Sequence, residues 1–155
     1  MATARITQNS LLMQNLMEFY NKDDNLEKML SIINGESSIS LRIVDWFATN
    51  FAKQYYVTYA TTNDARFKVY VDYKLNLRAY SKRRFDPFCR WERISIPYNN
   101  GDHIQTTIGQ LNFFKWALEN NVINYIQEHY SEIEADMNAR NSTSKRRKST
   151  GPANK

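Results

Sequence analysis

The stretch RFKVYVDYKLNLRAYSKRRFDPFCRWER, Arg66 to Arg93, decides how the rest of the chain is read. Its apolar residues recur at every second position: Phe67, Val69, Val71, Tyr73, Leu75 and Leu77. A period of two is that of a half-buried β-strand, so the pattern predicts one long strand from Phe67 to Tyr80. The opposite face of that strand would carry Lys68, Tyr70, Asp72, Lys74, Asn76, Arg78 and Tyr80. The turn SKRR adds Lys82, Arg83 and Arg84, and a further strand over residues 88–98 adds Arg90 and Arg93. Its alternation slips between Trp91 and Ile94, as at a β-bulge. Upstream, YYVTYAT (Tyr55–Thr61) is rich in β-branched and aromatic residues and reads as the first strand. The result is a three-stranded antiparallel meander.

On both sides the period becomes helical. Leu11, Leu12, Leu16, Phe19 and Tyr20 share one helix stripe, with Asn9 or Ser10 as its cap. Leu26, Met29, Leu30 and Ile33 share a second, opened by Asp23 or Asp24 and closed by Asn34-Gly35. A third carries Ile39, Ile43, Trp46, Phe47 and Phe51 behind Ser37 or Ser38. After the turn signal NNGD, Thr106 or Thr107 caps a C-terminal helical region containing Ile108, Leu111, Phe114, Leu118, Val122, Ile126 and Ile133. Asn120-Asn121 marks a break within it. Past Asn138 the chain has no aliphatic residue larger than Ala and no aromatic one, the composition of a disordered tail. The expectation is one α+β domain over residues 1–138 with N-terminal helices, the meander and C-terminal helices, followed by a disordered basic tail over 139–155.

The net charge of +5 conceals a strong segregation. Residues 1–65 carry five basic and seven acidic groups, 66–93 nine and three, 94–138 one and six, and 139–155 six and none. Two positive blocks thus flank a negative one, a directional field suited to a polyanion partner. The single Cys89 has no intrachain disulfide partner, which points to a reducing compartment. The N-terminal residues lack the uninterrupted apolar run of a secretory signal, and no segment reaches the ~20 apolar residues of a membrane span. The expected location is intracellular.

Lys68, Tyr70, Lys74, Arg78 and Tyr80 interleave cations with rings on one strand face, and Lys82, Arg83, Arg84, Arg90 and Arg93 extend it. Cations neutralise phosphates, and aromatic rings stack on bases with little sequence preference. The run Lys145, Arg146, Arg147 and Lys148 fits nuclear import or a phosphate-binding arm, and Ser and Thr residues around it would cancel charge if phosphorylated. Catalysis finds little footing. There is no Gly-rich phosphate loop and no CxxC pair, while His103 and His129 lack companions at metal-ligand spacing. Asp64, Asp72 and Lys74 form a loose acid…D-x-K pattern of metal-dependent nucleases, in which carboxylates hold Mg²⁺ beside a lysine.

SLRIVDWFATNFAKQY (Ser40–Tyr55), FDPFCRWERI (Phe85–Ile94) and TTIGQLNFFKWALENNVINYI (Thr106–Ile126) resemble blocks of a family of small basic proteins of the nucleocytoplasmic large DNA viruses. The resemblance runs from Ile39 to about Asn138 and implies a viral context without a catalytic residue, with an expected place in the host nucleus or cytoplasm or in a virion. The leading expectation is a non-enzymatic nucleic-acid-binding protein of low sequence specificity, with DNA ahead of RNA, needing no cofactor or metal. The alternatives are a virion structural or assembly protein, meeting an acidic protein or a second copy through the same basic face, and, third, the nuclease.

Overall fold

The computed structural model describes residues 8–91, 93–98 and 101–150, with the side chains of 8, 9, 98 and 141–150 left aside. Helices α1 (Gln8–Tyr20) and α2 (Asn25–Ile33) open the chain. Ser40 then caps α3 (Leu41–Trp46) by accepting the Ile43 N–H, two or three residues beyond the caps the sequence suggests, Ser38 and Ser37. The same helix widens into a π segment (Phe47–Phe51) and ends as α4 (Ala52–Gln54). Two residues of β1 (Thr58–Tyr59) pair antiparallel with two of β2 (Phe67–Lys68).

Here the expectation fails. Apart from Phe67 and Lys68 at its start, the segment read as a long strand is helix α5 (Val69–Phe85). Residues spaced by four satisfy a period of two as well as a helix, so Val69 and Tyr73 can point inward from either structure. Val69 is fully buried and Tyr73 is 7% exposed, whereas Val71 and Leu75, which a strand would bury beside them, are 52% and 56% exposed. Asp72, which a strand would expose, turns inward to accept the Trp116 indole N–H at 2.6 Å. There is therefore no three-stranded meander.

The second ladder joins β3 (Arg93–Tyr98), shorter than expected, to β4 (Asp102–Thr107), in register from Arg93↔Thr107 to Tyr98↔Asp102. The sequence reading missed β4, because DHIQTT sets only Ile104 and Thr106 inward. Thr107 accepts the Gln110 N–H and caps α6 (Ile108–Glu119). That helix is apolar around much of its circumference and lies at the centre of the fold. Leu111, Phe113, Phe114 and Ala117 are fully buried, and Phe113 and Trp116 pack edge and face on Tyr73 and Phe85. Asn121, at φ 58, makes the expected break before α7 (Val122–Glu128). Helix α8 (Tyr130–Thr150) follows and buries Ile133 and Met137. Its backbone stays helical through Thr150, where the sequence suggests a disordered tail from 139 onward. The segment has no Gly or Pro before Gly151, so nothing local stops a helix already nucleated by packing.

Candidate nucleic-acid interface

Helix α5 distributes the cations expected on one strand face in several directions. Lys68 precedes it on β2. Tyr70 is half-buried with the Lys53 ammonium 5.6 Å from its ring centre, and Tyr80 stacks on the buried Phe85 at 6.2 Å. Neither ring is a free platform. Lys74 and Arg78 remain together, one turn apart on the wet face.

The helix is broken at Ser81, whose φ of 69° and ψ of 168° are not helical. The turn after it drives Phe85 into the aromatic core and leaves Lys82 and Arg83 exposed. Asp86 then fixes the next loop: its Oδ1 accepts the Phe88 N–H at 2.8 Å and its carbonyl accepts the Cys89 N–H at 3.2 Å. Helix α6 holds this corner from behind. Asn112 Nδ2 donates to the Arg84 carbonyl at 2.8 Å, and Gly109 approaches so closely that a Cβ there would lie 2.6 Å from the Asp86 carbonyl oxygen.

What this corner presents outward is cationic and aromatic. The Arg83 and Arg84 guanidiniums lie 5.4 and 5.5 Å from the centre of the Trp91 ring. Stacking on a ring leaves the in-plane N–H groups of a guanidinium such as that of Arg83 open to a further acceptor. Beyond Trp91, Arg90 and Arg93 stand at a hollow of about 370 Å³, with Phe88 and Cys89 on one wall and Gln105, Thr107 and Gln110 on another. The Phe88 ring is 53% exposed. None of Lys74, Arg78, Lys82, Arg83, Arg90 and Arg93 forms an ion pair with another described residue.

Three carboxylates of the acidic C-terminal half are engaged near home. Glu119 meets Lys115 at 3.8 Å, Glu132 meets His129 at 3.6 Å, and Asp136 meets Arg140 at 3.1 Å. Behind the cationic corner, Asp45 on α3 is held up at about 6, first by burial and then by the nearby charge of Asp86.

The nuclease-like pattern is dispersed. Asp64 closes a turn by accepting the Arg66 N–H at 2.9 Å. Asp72 is bound to Trp116 and Asn76, and a helix sets Lys74 roughly 200° around the axis from it. The shared face that the strand reading gave Asp72 and Lys74 does not exist. Among the described residues no group of three or more His, Cys, Asp or Glu is placed to hold a metal ion. His103 lies on β4, and His129 stacks on Tyr125 at 4.2 Å. The side chains of Lys145, Arg146, Arg147 and Lys148 fall outside the described part.

Of the sequence-derived residues, the structure gathers Lys82, Arg83, Arg84, Arg90 and Arg93 at or beside one corner, and sets Lys68, Tyr70 and Tyr80 elsewhere. Phe88, Trp91, Gln105 and Gln110 escaped the sequence reading. The first two were signalled by FDPFCRW, in which aromatic residues alternate with a cation next to a turn. The glutamines were not signalled, because their place depends on β4.

The fold is thus a helical α+β protein with two short ladders, and the corner is a cationic hollow. The chain belongs to the Family of unknown function (DUF7197), whose pattern matches residues 3–155. It is similar to the "Uncharacterized protein L507" of Acanthamoeba polyphaga mimivirus, 42% identical over 128 residues that cover 77% of this chain and 49% of that protein. The chain therefore spans about half the length of that relative, and the resemblance to a giant-virus family is borne out. No solved structure matches. Among the described residues, no helix is long and apolar enough to cross a membrane.

Proposed function

We propose that the chain binds nucleic acid without chemical turnover and with little sequence specificity. The carrying observation is the corner itself: Arg83, Arg90 and Arg93 lack a carboxylate partner among the described residues, Arg90 and Arg93 line an anchored hollow edged by a half-exposed Phe88, and Arg83 lies against the neighbouring Trp91 ring. Arg83, Arg84, Arg90 and Arg93 contact phosphates, with Lys82 alongside. Phe88 stacks on an unpaired base, which is worth about 1–3 kcal/mol. Lys74 and Arg78 add further positive charge along α5. DNA stands ahead of RNA on the viral context of the family alone.

Fluorescence anisotropy with labelled single- and double-stranded DNA, across a salt series, tests this. Replacing Arg90 and Arg93 by Ala together should weaken binding about tenfold or more and flatten the log–log salt slope by about 2. Phe88→Ala should cost affinity for single strands more than for duplex. Unchanged affinity in both variants, or affinity indifferent to salt, would remove the corner from the interface.

A further inference from the structure

A second surface, independent of the cationic corner, is built around Tyr56. This residue follows α4 with φ 51°, the left-handed region that bulky side chains seldom adopt, at a cost of about 1–2 kcal/mol. Its ring is nevertheless 86% exposed. A strained backbone and a large ring in water gain little from the chain that carries them. The backbone around it is fixed: Thr58 Oγ1 donates to the Tyr56 carbonyl at 3.0 Å, and the Val57 N–H donates to the Ala52 carbonyl at 3.1 Å.

Tyr56 is the ridge between two grooves, and Val57 and Thr58 are common to both. On one side a mostly apolar groove of about 340 Å³ runs over Ala52, Tyr70 and Val71, with Lys53 and Lys68 on its walls. On the other a groove of about 450 Å³ is bordered by Glu132 and Asp136. The Glu132 side chain is 72% exposed despite its contact with His129. Val71, in the first groove, is 52% exposed.

We infer that this surface is the interface with a second copy of the chain. A two-fold contact needs a patch and its complement side by side on one surface, because each copy offers both. Here a basic apolar groove and an acidic one lie on either side of one exposed tyrosine. A two-fold axis near that ridge sets Lys53 and Lys68 of one copy against Glu132 of the other, twice, and places each Tyr56 ring in the partner's apolar groove. Charge complementarity selects the second copy: a wholly acidic partner would be repelled by the Glu132 side, and a polyanion likewise.

The test is sedimentation velocity on the full chain, freed of nucleic acid, at low salt over roughly 1–300 µM. Wild type should pass from monomer to dimer within that range. Lys68→Glu and Glu132→Lys should each weaken the dimer about fivefold or more, by setting like charges opposite each other. Mixing the two variants should recover it, since a mixed dimer places Glu against Lys at both contacts. Tyr56→Gly should abolish dimerisation while leaving the melting temperature level or higher, because Gly accepts that φ without strain. A chain that stays monomeric throughout, or charge variants whose mixture behaves as the average of its parents, would overturn the inference.

Discussion

Asp45 and Gly109 show at single positions how tightly the cationic corner is held from behind. Burial and the neighbouring Asp86 raise the Asp45 carboxyl from 3.8 to about 6 in the folded chain. The folded state then holds its proton more tightly than the unfolded one between those values. Its ionisation therefore lowers stability progressively as pH rises through that window, and the whole penalty remains above about 6. Asp45→Asn should raise stability at pH 7.5 by about 1–2 kcal/mol, allowing for partial solvent screening, and lose that advantage near pH 4. Paired thermal melts at the two pH values check this; an equal gain at both would mean that ionisation is not the cause. At Gly109 the obstacle is geometric. A methyl group there meets the Asp86 backbone oxygen at 2.6 Å, and a backbone atom cannot swing aside. Gly109→Ala should cost about 1–3 kcal/mol by forcing α6 away from the corner, with denaturant unfolding as the readout. A neutral result would mean that α5 and α6 approach less closely than this.

At the scale of elements, the instructive segment is α5. Its alternation is genuine, yet every second step of two is a helical step of four, so Val69 and Tyr73 suit either structure. Packing decides between them. Trp116 and Phe113 on α6 offer Tyr73 a ring-lined site and Asp72 an indole N–H, which leaves Val71 and Leu75 in water. No window of the sequence contains that information, because α6 begins well over twenty residues later. The helices that carry a stripe at three and four spacing, α1, α2, α3 and α6, were legible for the converse reason. The two structures make opposite forecasts for one pair of substitutions. Tyr73→Ala should cost about 3–5 kcal/mol, as for a large buried ring. Leu75→Gln should stay within about 0.5 kcal/mol, as for an exposed helix position. In a strand the two side chains share a buried face, so comparable losses in urea melts would restore the strand.

For the molecule as a whole, the segregation of charge was legible and its arrangement in space was only half so. Composition alone located the positive block of residues 66–93, and Arg83, Arg84, Arg90 and Arg93 remain at one corner. The hollow that gives them a shape was hidden, since it needs β4 and the capped start of α6 beside a loop distant in sequence. The C-terminal segment poses the remaining question of scale, because α8 belongs to the core at one end and to the second positive block at the other. Among the described side chains the last buried one is Met137, at 7% exposure, and Arg140 still pairs with Asp136, which also accepts the Tyr55 hydroxyl. Beyond Arg140 the sequence adds Lys145, Arg146, Arg147, Lys148 and Lys155 without an acidic residue. A chain ending at Arg140 should keep its unfolding free energy within about 0.5 kcal/mol. Its DNA affinity should fall at low salt, with the salt slope reduced by no more than about 4.5, since five cations are lost and each neutralised phosphate contributes about 0.9. The slope that remains measures the corner. Complete loss of binding would move recognition onto the C-terminal cations, and a large drop in melting temperature would show that residues past Arg140 help to hold the fold.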